Sequence, residues 1–356
     1  MLTPWQERPL ADLLAEFQLD GLPEFPFQTD GWSGASFSAI DRGTDQFVLK
    51  RTSLAVDWIA AATHDTSIRE ASLAAATSGG DVPGPWASLG AAADGDAAVT
   101  LMPDLSIELI AWDRPGRARA LPVEDLDRVL DALATLHVQG WPKALEAAGA
   151  GFPWCPLPER LLLTSRPMCA RHLASGVPAG VASGQRLLAG WDAFDRQAPQ
   201  SARRLVEELS ADVTPLVRAL SGLPSVGLHG DLKLANVALG PGGRVRFIDW
   251  SMTIVAPIAV ELGWFLVSNS SSLSLPPDEV LERYRTVAFE LPRQVPAVLG
   301  DWEAQVDLAM IVGLLLRGFR KGLDAEAGVT LASGVSAADD LAWWCERAVA
   351  ASARLR

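Results

Sequence analysis

The sequence predicts an α+β fold of two lobes, a small antiparallel β-sheet with one main helix followed by a larger, mainly helical lobe. Three observations carry this. Up to residue 103 the apolar runs have strand length and are separated by Gly- and Asp-containing turns. From Pro122 apolar residues recur at spacings of three and four. Late in the chain, residues 226–250 hold a short hairpin flanked by polar side chains. At 356 residues the chain is long enough for two cores, which this reading divides at 1–103 and 104–356.

Leu10, Leu13, Leu14 and Phe17 recur at helical spacing between Pro9 and Asp20-Gly21, which predicts a helix packed on the small lobe. Gly31-Trp32-Ser33-Gly34 then opens a strand, turn, strand pattern that ends in Gln46-Phe47-Val48-Leu49-Lys50. Small residues in such a turn let the backbone approach a triphosphate closely and offer it N–H groups. Lys50 ends an apolar strand, where a long cation can reach out of the sheet, and Glu70 lies on a helix expected over 66–76. His64 and Arg69 read as surface residues. Ala98–Met102 is a buried strand by pattern, and Pro103-Asp104-Leu105 leads out of it.

Val123, Leu126, Val129, Leu130, Leu133 and Leu136 predict the central buried helix of the large lobe. Glu124 and Asp125 complement the dipole in its first turn, and His137 near its end reads as a packing residue. Residues 140–222 show several short helical runs, among them 184–194 and 202–209. Helices over 278–289, 301–319 and 337–351 complete the chain.

A net charge of −13 argues against a nucleic-acid partner, because binding phosphates along a backbone needs a basic face. The acidity is concentrated early: residues 1–105 carry net −10 and the remainder net −3, so the second part advertises no polycationic substrate. No apolar stretch approaches the length of a membrane span and no basic, apolar leader opens the chain. Cys155, Cys169 and Cys345 are odd in number and scattered, which points to a reducing compartment. A cytoplasmic protein is expected.

The densest chemistry surrounds the late hairpin. Val237-Ala238-Leu239 and Val245-Arg246-Phe247-Ile248 flank Gly240-Pro241-Gly242-Gly243; His229, Asp231, Lys233 and Asn236 precede it and Asp249 follows. Oxygen-bearing side chains and one cation thus converge on one end of a stiff unit. Mg²⁺ prefers oxygen donors and fills its remaining positions with water and substrate phosphate, so one carboxylate and one amide suffice. The chain has only two Asn and four Lys, and Asn236, Lys50 and Lys233 are among them.

His229-Gly-Asp231 with Asn236 five residues on, then the hairpin and Ile248-Asp249-Trp250, resembles the catalytic loop and metal-binding segment of the aminoglycoside phosphotransferase/choline kinase family, relatives of the protein kinases. The resemblance implies a two-lobed protein kinase-like fold. It also implies ATP-dependent transfer of the γ-phosphoryl group to a hydroxyl of a sugar, amino sugar, aminoglycoside-like or amino-alcohol acceptor, with Mg²⁺ as two ions. Asp231 would orient and deprotonate the hydroxyl, Lys233 would meet the γ-phosphate, and Asn236 and Asp249 would hold metal. Lys50, braced by Glu70, would contact the α/β-phosphates under the Gly31, Ser33 and Gly34 turn. Met102, Pro103 and Leu105 would receive the adenine, the N–H coming from Leu105 because Pro103 has none.

Two features depart from this pattern or extend it. Glu261-Leu262 stands where family members commonly have Asp-Leu, a pair that braces the catalytic loop. Trp302, Trp343 and Trp344, with Glu303 and Asp307, are candidates for an acceptor wall as well as for the core. Two other functions fit parts of the sequence: a catalytically silent nucleotide-binding module, and a metal hydrolase built on His229, Asp231 and Asp249.

Overall fold

The computed structural model describes residues 5–29, 31–78, 84–110, 120–139, 141, 151–291 and 298–356. Of the 140–222 stretch, residues 140 and 142–150 lie outside it. Helix α1 (Leu10–Glu16) leads into β1 (Glu24–Pro26), β2 (Ser36–Asp41) and β3 (Gln46–Thr52). Helices α2 (Trp58–Ala62) and α3 (Arg69–Thr77) follow, then β4 (Gly90–Asp94) and β5 (Ala97–Pro103). The strands form one antiparallel sheet in the order β1-β2-β3-β5-β4. Its register sets Lys50 opposite Phe37 on one side and Thr100 on the other. Leu13 and Leu19 close one face of the sheet over Ile40, Leu49, Val99 and Leu101.

Asp57 caps α2 by accepting from Ala60 N at 2.9 Å, the usual way an orphan N–H at a helix start is satisfied. The sequence reading did not anticipate this short helix. Helix α3 starts three residues later than the lower bound expected from the sequence, because Ile68 turns left-handed at φ +47° and Asp65 takes the Arg69 N–H at 2.8 Å.

The remainder is mainly helical: α4 (Val123–Gln139), α5 (Leu157–Leu162), α6 (Arg166–Ala174), α7 (Pro178–Gln197), α8 (Gln200–Ala211) and α9 (Thr214–Ser221), then α10 (Ile258–Asn269), α11 (Pro277–Glu290), α12 (Trp302–Glu326) and α13 (Ala337–Ala351). Between α9 and α10 lie β6 (Val226–Leu228), β7 (Val237–Leu239), β8 (Val245–Phe247) and β9 (Ile254–Ala256). β6 pairs with β9, and β7 with β8 as the expected hairpin. The centre of the helical part is α10 against α12, not α4. Every residue of α10 is buried, whereas α4 exposes Glu124, Arg128 and Asp131. Close approach of the two central helices depends on Gly263, where a Cβ would stand 2.3 Å from the Ala309 carbonyl oxygen.

The tryptophans considered for an acceptor wall all have packing partners. Trp344 is fully buried against Gly313, Trp302 stacks on Tyr284, and Arg347 covers Trp343. Asp307 pairs with Arg354. The three cysteines are buried free thiols. Among the described residues, no helix is long and apolar enough to cross a membrane.

The segment leaving β5 is sewn to the hairpin. Leu239 N donates to Glu108 O at 2.9 Å and Ile110 N to Val237 O at 2.9 Å, and Arg246 pairs with the Glu108 carboxylate. Leu105 is buried beside Ala87 and Ala238.

Candidate active site

Lys50 is the meeting point of the sheet and the helical part. Its Nζ lies 2.6 Å from Glu70 Oε2 and 2.7 Å from Asp249 Oδ1. Burial would lower the lysine's pKa, but the Asp249 and Glu70 carboxylates raise it above its ordinary value, so the ammonium is kept. Asp249 shows the converse: burial pushes its carboxyl up, and Lys50 with Lys233 pulls it well below the usual range. Glu70 is raised by burial against the pull of Lys50, and among the described residues its Oε1 has no hydrogen-bond partner.

The polar loop after β6 presents the other groups. Lys233 Nζ stands 2.9 Å from Asp231 Oδ2. Asn236 Nδ2 donates to the Asp231 carbonyl at 3.0 Å and to its Oδ2 at 3.3 Å. That fixes which way the amide faces: Asn236 Oδ1 accepts no hydrogen bond among the described residues. Ile248 N donates to Asn236 O at 3.0 Å, which brings Asp249 alongside. Asp249 itself is held left-handed at φ +64° at the end of the hairpin. Gly230 is needed where it stands, at φ +81°, because a Cβ there would fall 1.9 Å from Met252 O.

The oxygen of Asn236 and the carboxylate of Asp249 form an acceptor pair suited to a hard cation that completes its shell with water and phosphate. Among the described residues no three His, Cys, Asp or Glu side chains cluster as a metal site. His229 is engaged at both ring nitrogens: Nε2 meets Ile248 O at 3.0 Å and Nδ1 accepts from Asp231 N at 3.2 Å. Burial lowers its pKa against the opposing pull of Glu261 and Asp231, in keeping with a neutral ring. The set His229, Asp231 and Asp249 therefore lacks the free imidazole a hydrolytic metal centre would use.

Of the remaining expected residues, Ser33 and Gly34 lie in the β1–β2 turn, and their N–H groups find no acceptor among the described residues. Gly31 is exposed beside them and donates to Thr29 Oγ1 at 3.2 Å. Met102 is buried at the end of β5, and Pro103 pairs with Phe47 in register. Asp104 N is spent on Gln46 O at 2.8 Å, while Leu105 N has no acceptor among the described residues.

Further residues hold the polar loop in place. The Glu261 carboxylate takes His229 N and Gly230 N, both at 2.8 Å, and His137 Nε2 at 3.2 Å. His137 Nδ1 in turn meets the Tyr284 hydroxyl at 2.7 Å. Glu261 thus supplies the brace that the departure from Asp-Leu called into question, and His137 belongs to a buried polar chain. Burial raises the Glu261 carboxyl, but these donors outweigh burial and hold it below its ordinary value. Asn269, the other asparagine, accepts Leu234 N at 2.9 Å and secures the same loop.

Arg160 donates to Gly230 O at 2.7 Å from beneath the loop. Arg69, expected on the surface, is 1% exposed and bonds Thr63 O, Thr63 Oγ1 and Ser251 O. Asp57 is buried in the field of Lys50 and Asp249, and burial pushes its carboxyl up.

A buried strand lysine paired with a helix glutamate, a polar loop ending in asparagine and an aspartate beyond a hairpin together are the arrangement of the kinase-like phosphotransferases. The chain belongs to the phosphotransferase enzyme family known as APH, whose model matches residues 28–298. It is similar to an aminoglycoside-3′-phosphotransferase of type VIII (20% identity, 87% of this chain and 97% of the other, TM-score 0.43). It is also similar to the choline kinase LicA from Streptococcus pneumoniae (12%, 96% and 97%, TM-score 0.47) and to the macrolide 2′-phosphotransferase MphH from Brachybacterium faecium (20%, 98% and 97%, TM-score 0.39). No curated protein matches the chain.

Proposed function

We propose that the protein transfers the γ-phosphoryl group of ATP to a hydroxyl of a small molecule: a sugar, amino sugar, aminoglycoside-like compound or amino alcohol. The observation that carries this reading is the placement of Lys50 between Glu70 and Asp249, with Asp231 and Lys233 on the adjoining loop. Residues 1–103 form the nucleotide-binding lobe in this proposal, and residues 104–356 carry the catalytic loop, metal site and acceptor pocket. The Ser33 and Gly34 N–H groups receive phosphate oxygens, and Leu105 N meets the base.

Phosphoryl transfer passes through a loose transition state, so positioning and charge neutralisation carry most of the catalysis. Asp231 orients the acceptor hydroxyl and takes its proton as the bond from that oxygen to the γ-phosphorus forms and the bond to the β–γ bridging oxygen breaks, releasing ADP. Lys50 holds the α/β-phosphates and Lys233 leaves Asp231 to meet the γ-phosphate. Asn236 and Asp249 would hold Mg²⁺, which when bound would neutralise phosphate charge.

The test is ATP consumption with Mg²⁺ over a panel of sugars, amino sugars, amino alcohols and aminoglycosides, run beside Asp231→Asn. Acceptor-dependent turnover that the variant loses supports the proposal. Nucleotide binding with no turnover on any acceptor favours a silent binding module.

A further inference from the structure

Helix α7 reaches back over 151 residues of sequence to the β1–β2 turn, and the contact is built from one face of the helix. Ala179, Gly180, Ser183 and Arg186 share that face by their spacing. On the sheet side, Trp58 clamps the turn at two consecutive carbonyls: its indole N–H bonds Trp32 O at 2.7 Å and its backbone N–H bonds Ser33 O at 3.0 Å. Gly34, at φ +101°, lets the turn pass so close that a Cβ would stand 2.0 Å from Val56 O and 3.1 Å from the Ala179 Cβ. Gly180 makes room for Trp58 in the same way, with a Cβ position 3.1 Å from the Trp58 Cβ. From α7, Ser183 Oγ reaches the Trp32 carbonyl at 3.4 Å, and the Arg186 guanidinium lies 5.2 Å from the centre of the Trp32 ring.

We propose that Ser183 and Arg186 are positioning residues for the phosphate-facing turn, and that α7 preorganises that turn through Trp32. This rests on the nucleotide reading above and goes beyond it, since it assigns part of the phosphate affinity to a helix that touches no phosphate. A turn already held in place loses less conformational freedom when a ligand arrives, and a loop that must be ordered first binds more weakly by the fraction of time it is ordered. Both links to Trp32 are individually modest, so their joint loss weakens binding by about ten-fold.

The full-length protein is titrated with a non-hydrolysable ATP analogue and, separately, with adenosine. Ser183→Ala/Arg186→Ala raises the Kd for the analogue by about ten-fold and leaves that for adenosine unchanged. Trp32→Leu, which keeps the Arg186 charge, raises the analogue Kd as well. Arg196→Ala, at the far end of the same helix where Arg196 pairs with Glu326, changes neither. An unchanged analogue Kd in the double variant, or an equal loss for adenosine, overturns the inference. So does a loss confined to the Arg186 variants, which would mark a direct charge contact with phosphate. If the wild-type protein binds neither ligand, the nucleotide reading itself fails and this inference falls with it.

Discussion

Lys50 and Asp249 stand 199 residues apart in sequence, yet Nζ and Oδ1 meet at 2.7 Å. This single pair joins strand β3 to the end of the β7–β8 hairpin. The same ammonium also neutralises Glu70, whose carboxylate is 3% exposed.

Replacing Lys50 by Met therefore costs stability as well as activity. Removing one member of a buried ion pair leaves the other uncompensated, at about 3–5 kcal/mol. Chemical denaturation should show a loss of that order, and the double variant Lys50→Met/Glu70→Leu should recover much of it. Phosphoryl transfer is lost in both, so stability and activity separate.

Asp231→Asn keeps the shape of the loop and its bonds from Asn236. Turnover should fall by roughly 10²–10⁴-fold, the usual contribution of a positioned base, while the nucleotide Kd stays within about two-fold, well inside one tenfold step of 1.4 kcal/mol. Comparable weakening of nucleotide binding would mean that Asp231 holds ligand and does not act on the acceptor.

The brace at Glu261 carries a pH signature. Its folded carboxyl is held below the ordinary value of 4.5 by the donors around it, so the unfolded state binds the proton first as pH falls. Its contribution is complete above about pH 4.5 and is lost as pH drops through the folded value. Thermal melts of wild type and Glu261→Gln should differ by a constant amount near neutrality and converge in acid. A gap that widens on acidification would contradict this assignment.

Asn269→Leu leaves the Leu234 N–H without its acceptor. A buried donor left unsatisfied costs about 1–3 kcal/mol, so denaturation midpoints should fall accordingly. Because Leu234 follows Lys233 directly, the variant should also lower kcat more than it raises the KM for nucleotide. An unaltered kcat would confine Asn269 to a purely structural role.

The part of the site that could be read from sequence was the part that is local. Asp231, Lys233, Asn236 and Asp249 flank one hairpin, and the turn chemistry of 240–243 fixes their proximity. Lys50 was legible as a lysine at the end of an apolar strand, and its pairing with Glu70 only through the resemblance to the kinase-like families. Arg69 and Arg160 were not: their partners are mostly backbone oxygens such as Ser251 O and Gly230 O, which leave no mark in a sequence. His137 hid behind a helical apolar pattern that places it inside whether or not it bonds anything. Asn269 left one faint signal, being the only asparagine besides Asn236. Helix α2 is too short for periodicity to show, and without it the clamp on Trp32 could not be anticipated. The centre of the helical part fell on α10, which is buried on all sides, packed against the long apolar run of α12 from Leu308 to Leu316, while α4 keeps a polar face.

The stitching of 105–110 to the β7–β8 hairpin has a geometric corollary. Leu105 N at one end and Asn236 Oδ1 at the other are mounted on a single hydrogen-bonded ribbon, with Leu239 N to Glu108 O as a rung between them. The distance between those two groups is therefore set by main-chain hydrogen bonding, Leu239 N to Glu108 O and Ile110 N to Val237 O, and not by the reach of any flexible side chain.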